Sequence, residues 1–109
     1  MAPPADFHVH TQFSWDSRAG AMEASCRRAL VIGLPAIAFT DHADFVENVH
    51  RDLRPLEVES YLEEVERCRT LFPRLRILSG VELGEPHRFP AQAEQVLRCG
   101  RLQRVLGSV

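Results

Sequence analysis

Three times over, the chain sets a short apolar run ahead of a stretch with the spacing of an amphipathic helix, and this alternation restricts the fold more than any other feature. The runs lie at 5–10, 35–40 and 75–81, with a fourth at 102–109, and the helical stretches between them at 22–31, 57–71 and 90–100. Strands and helices alternating at this spacing imply βα units and a parallel sheet rather than a helical bundle. In the first helix Ala24, Ala29 and Leu30 are candidates for the buried stripe, and Gly33 stands where a left-handed cap is needed. In the second, Val58, Tyr61, Leu62, Val65 and Cys68 recur at helical spacing and Pro73 stops the pattern. Pro90 suits the first turn of the third helix, which Gly100 closes. The run 35–40 is apolar nearly throughout, as expected of a strand covered on both faces. The polar connection 43–56 is longer than a plain connector needs to be, which marks it as a rim or lid.

Composition narrows the function. With 109 residues, 45% hydrophobic and 26% charged, the chain is expected to form one small soluble domain. A formal charge of -2 supplies no basic field for a nucleic-acid partner. The longest apolar stretch, 29–39, is too short to span a bilayer and is interrupted by Gly33 and Pro35. The N-terminus lacks the basic start and apolar run of a secretory signal, so a cytoplasmic location without membrane partners is expected. All 13 basic residues are Arg, which rules out a Schiff-base lysine or a phosphate-loop lysine in this segment. Cys26, Cys68 and Cys99 show no short paired spacing and read as reduced, mostly buried thiols.

The chemistry concentrates at the strand ends. His8 and His10 alternate along the first strand and project to one face, with Asp6 one step behind them. Such a pair offers two neutral nitrogens to one cation. Asp41 and His42 close the second strand, and Glu82 stands at the end of the third. In a parallel βα arrangement these ends share one rim, so His8, His10, His42 and Glu82 should converge. Glu85, His50 and His87 are further candidates for the rim, against a solvated surface role for each.

Taken in order, His8-x-His10-Thr11 with Ser14 and Asp16, then Thr40-Asp41-His42, then Gly80-x-Glu82, resemble the first three motifs of the PHP (polymerase and histidinol phosphatase) family, over nearly the whole chain. The resemblance implies a distorted (β/α)7 TIM-like barrel with two or three divalent metal ions (zinc, manganese or iron) at the strand C-termini. It implies that His8, His10 and Glu82 share a first ion, that Glu82 bridges to a second, and that Asp16 and His42 help to hold a third. Asp16 replaces a His common in the family, and an oxygen donor there favours iron or manganese over zinc. Asp6 and Asp41 fit as groups that orient imidazoles, with a structural cap the alternative for Asp41.

The contexts 13–17 and 41–45 resemble the histidinol-phosphatase branch, implying hydrolysis of a small phosphate monoester, histidinol phosphate, in histidine biosynthesis. Another branch, a nucleotide phosphatase or a polymerase-linked nuclease, is the alternative enzyme reading. The tail 102–109 resembles the start of the family's fourth motif. The expectation is therefore an N-terminal portion of a single PHP domain, truncated in the fourth strand, lacking the later ligands and the groups that grip phosphate. Such a piece would leave an open barrel edge that favours self-association, and would be inactive alone; a non-catalytic metal-binding fragment is the alternative of another class.

Overall fold

The computed structural model describes residues 4–13, 21–44 and 56–108. Along them lie β1 (Asp6–Val9), α1 (Met22–Ile32), β2 (Ala36–Ala43), α2 (Val58–Leu71), β3 (Arg76–Gly84), α3 (Pro90–Leu97) and β4 (Arg104–Ser108). The strands form one parallel sheet in the order β1-β2-β3-β4. Because parallel neighbours need a crossover, a helix separates each strand from the next, and the result is a half-barrel of the TIM-like α/β class. No helix among the described residues is long and apolar enough to cross a membrane.

The sheet is curved enough for its two edges to meet. Arg104, on β4, donates from Nε to the carbonyl of Phe7 on β1 at 3.0 Å, and its guanidinium lies 5.3 Å from the Phe7 ring centroid. A planar cation over an aromatic face combined with a backbone hydrogen bond joins strands that are not sheet neighbours.

The main core lies between the sheet and the first two helices. Met22, Cys26 and Ala29 of α1 and Tyr61, Leu62, Val65 and Cys68 of α2 pack on Ile37, Phe39 and Ile77. The α1 stripe is thus Met22, Cys26 and Ala29; Ala24 is exposed and Leu30 is 40% exposed, contrary to expectation. Residues four and three apart share a helix face, and Ala24 sits about 200° around from Met22. Gly33 ends α1 at φ 80°, and the Leu34 N–H reaches back to the Ala29 carbonyl at 2.9 Å, the left-handed closure that glycine permits. A smaller cluster of Ala43, Val81, Leu83 and Ala93 seats α3. That helix stops at Leu97, short of Gly100, which occupies a following turn at φ 69°.

Two strands run further than their apolar letters indicate. β2 continues through Asp41, His42 and Ala43, and β3 through Glu82 and Leu83, because the two keep pairing to the end of that register, and Gly84 goes on to pair with Ser108 of β4. Tertiary pairing here overrides the low strand preference of Asp and Glu. β1, by contrast, is shorter than expected and carries an irregularity: Asp6 pairs with Ile37 and Val9 with Phe39, so three steps on β1 match two on β2. Strict alternation across 6–10 is lost, and Asp6 takes the register position of Ile37 instead of following the His8 and His10 face. Most of the long polar connection, 45–55, lies outside the described residues.

Tyr61 joins α2 to the sheet. Its buried hydroxyl donates to the Phe39 carbonyl at 2.7 Å and accepts the Gly80 N–H at 2.9 Å, linking β2 to β3. Burial pushes the phenol well above its ordinary range, so it stays protonated as the donor this geometry requires. Tyr61→Phe should leave both backbone groups short of a partner and cost about 1–3 kcal/mol in urea unfolding; an unchanged midpoint would contradict the link. The thiols give a second test. Cys26 and Cys68 are fully buried and Cys99 is partly so, and burial, reinforced by the neighbouring Cys68, pushes the Cys26 thiol up to about 12. At pH 8 an aromatic disulfide reagent should therefore label Cys99 rapidly, and Cys26 only on unfolding.

Candidate metal centre

Parallel pairing gathers the strand C-termini on one rim. His42 on β2 is the direct partner of Glu82 on β3, so their side chains leave the sheet side by side on one face. His8 and His10 flank Val9, which pairs with Phe39 of β2, and this carries both imidazoles to the same mouth. The rings follow one another, with centroids 5.1 Å apart for His8 and His10 and 4.4 Å apart for His10 and His42.

Glu82 is the hub. Its carboxylate is close to fully buried, with Oε1 2.7 Å from His8 Nε2 and Oε2 2.7 Å from His42 Nδ1. A carboxylate withdrawn from water needs donors or cations around it, and here an imidazole nitrogen lies close to each oxygen. His8, His10 and Glu82 each place a ligand atom within 4.8 Å of the other two, which makes a group able to hold a metal ion. Two imidazole nitrogens and one carboxylate oxygen are a donor set suited to zinc, manganese or iron.

Beneath the rim, Asp41 points its fully buried carboxylate at the segment just after β1. It accepts the backbone N–H of Thr11 on one oxygen and the Thr11 hydroxyl, at 2.7 Å, on the other. Of the two roles open to Asp41 in the sequence, these bonds describe a clamp on the chain just after His10. Asp6 acts on backbone too, taking the His8 N–H at 3.2 Å. Glu85 bonds Arg88 at 3.0 Å and His87 is exposed in the turn after β3, while Asp16 and His50 lie outside the described residues. Asp44 was not singled out in the sequence, yet its Oδ2 lies 3.4 Å from His42 Nδ1. The available signal was its spacing, two residues beyond His42 where a continuing strand would return it to the same face.

The geometry agrees with the comparisons. A family profile described as PHP domain matches residues 6–109. Two solved structures superpose on nearly the whole chain. One is histidinol phosphate phosphatase from Lactococcus lactis subsp. lactis Il1403, complexed with zinc, L-histidinol and phosphate: TM-score 0.84 and 29% identity, covering 96% of this chain and 39% of that one. The other, a putative histidinol phosphatase from Listeria monocytogenes, has a TM-score of 0.81 over 96% of this chain and 44% of its own; at 15% identity it speaks for the fold alone. The chain thus spans less than half the length of either. No curated protein sequence matches it.

The clamp below the rim is open to test. Thr11→Val keeps the side-chain shape and removes the hydroxyl, leaving a buried carboxylate oxygen without that donor. It should lower stability by about 1–3 kcal/mol in urea unfolding, and an unchanged value would remove Asp41 as the anchor of β1.

Proposed function

The chain belongs to the PHP domain family, and from that premise we propose that it supplies the first half of the metal centre of a phosphate monoester hydrolase acting on histidinol phosphate. The observation that carries the reading is the convergence of His8, His10 and Glu82 within 4.8 Å, with Glu82 also against His42. In this reading His8, His10 and Glu82 hold one ion, Glu82 reaches a second, and His42 with Asp16 serves a third.

The donors fit zinc, manganese or iron, and zinc is the metal of the Lactococcus neighbour. When bound, such cations lower the pKa of water at the site and neutralise charge on phosphoryl oxygens during in-line attack. The chain's own contribution is placement. Glu82 keeps His8 and His42 on either side of one carboxylate, and Asp41 fixes the segment that follows His10. No side-chain nucleophile is required, so the absence of lysine here and the burial of Cys26 and Cys68 are no obstacle. Histidinol phosphate is favoured as substrate because the Lactococcus neighbour was solved with L-histidinol and phosphate, the two products of that hydrolysis. The remaining donors and the phosphate-gripping groups would come from strands that follow β4 in the family fold.

Two measurements test the reading. His8→Ala should bind manganese or zinc at least about tenfold more weakly by titration, since a lost ligand should cost no less than an outer-shell change does. Unchanged binding would remove His8 from the centre. A chain extended through the family fold should release phosphate from histidinol phosphate with added manganese, whereas the 109-residue chain alone should not. Equal rates would refute the division of the site between the two halves.

A further inference from the structure

β2 carries a buried hydroxyl that the fold itself does not use. Thr40 is 0% exposed, and its Oγ1 has no hydrogen-bond partner among the described residues. The hydroxyls of Thr11, Ser79 and Tyr61 are buried to the same degree and are all engaged: Thr11 donates to Asp41, Ser79 to the Arg101 carbonyl and Tyr61 to the Phe39 carbonyl. A buried hydroxyl without a partner has lost its water for nothing in return. Valine has the shape of threonine and would fill the same space without that loss, and the four residues before Thr40 on β2 are all apolar. Packing alone therefore does not account for threonine here.

Its place in the sheet does. Ile37 and Phe39 pack toward the helices, and Asp41 turns the same way to Thr11, so alternation puts Thr40 on the inner face of the half-barrel with His42. On β3 its register partner is Gly80, two residues before Glu82. On the other side Val9 pairs with Phe39, so His10 follows Val9 as Thr40 follows Phe39. Thr40 thus lies in the layer directly beneath the mouth, between the strand that leads to His10 and the strand that bears Glu82. Of its two branches the methyl lies against Gly80, where an added Cβ would fall 2.9 Å from Cγ2.

Resting on the metal-centre reading above, we infer that Thr40 is a positioning residue of that centre, its hydroxyl held for a water that arrives on the cation. His8, His10 and Glu82 supply three donors, and a site with three protein ligands keeps a coordination position for water. A hydroxyl both donates and accepts, so it can hold such a water through either of its partners' roles. Outer-shell groups of this kind orient what the metal binds and strengthen its hold on the ion. The pairing that the metal-free fold denies to Thr40 is then made when the ion enters.

Two variants separate the hydroxyl from the shape. Thr40→Val removes the hydroxyl and keeps the volume; Thr40→Ser keeps the hydroxyl and removes the methyl. Without metal, Thr40→Val should unfold in urea at the parent's midpoint or above it, and Thr40→Ser below it. Manganese titration should invert that order: Thr40→Val should bind about 10- to 100-fold more weakly, the usual effect of losing an outer-shell partner, and Thr40→Ser should keep the parent's affinity. A metal-free Thr40→Val midpoint clearly below the parent's would mean that the hydroxyl already has a partner in the fold, and overturns the inference. So does parent-like manganese affinity in Thr40→Val, or an equal loss of affinity in both variants. In parent crystals grown with manganese, Oγ1 should lie at hydrogen-bond distance from a water on the ion; Oγ1 bonded to a protein atom instead overturns the assignment. A parent chain that binds no manganese sinks the metal-centre reading and this inference with it, whereas a parent that binds, with Thr40→Val unchanged, sinks this inference alone.

Discussion

The Asp41 carboxylate, buried and gripping both the N–H and the hydroxyl of Thr11, is the contact on which the mouth of the half-barrel depends. β1 is a four-residue edge strand, mostly exposed and out of step with its neighbour, so its ladder holds it weakly. Yet it carries His8, and the residue just past its end is His10, two of the three side chains of the candidate metal group. The clamp fixes the chain immediately after His10 to the strand that also bears His42. Hydrogen bonds to an ionised group are about twice as strong as neutral ones, and burial keeps water from competing for them.

The rest of the fold supports the same mouth from behind. Tyr61 ties α2 to both central strands at Phe39 and Gly80, two residues before the Glu82 hub. Gly80 is glycine for want of space: a Cβ there would lie 2.6 Å from the Arg104 carbonyl oxygen and 2.9 Å from that of Phe39. Arg104 reaches from the far edge strand to the Phe7 carbonyl, at the opposite end of β1 from the Thr11 clamp. β1 is thus held at both ends, by one contact from each side of the sheet.

Much of this was legible in the sequence, for identifiable reasons. The βα alternation shows because the central strands β2 and β3 are buried and each helix is half-buried, which leaves different periods in the letters. His8, His10, His42 and Glu82 stand out because metal-competent side chains recur at successive strand ends, and parallel strands put those ends together. The β1 irregularity left no mark, as Asp6 to Val9 contains neither glycine nor proline. The extension of β2 past Thr40 was hidden because Asp41 and His42 look like loop residues until the pairing of His42 with Glu82 is seen. The clamp was hidden by distance in sequence: it joins residues 30 apart, and a carboxylate does not declare which distant backbone it will meet.

The proposed chemistry requires a cation sitting among His8, His10 and Glu82. Anomalous diffraction from crystals grown with manganese, collected on either side of the metal's absorption edge, addresses this most directly. The expected result is a peak bonded to His8, His10 and Glu82, with Glu82 drawn from its contacts with the imidazoles onto the metal. Peaks confined to other parts of the surface, with Glu82 still seated between His8 and His42, would contradict it.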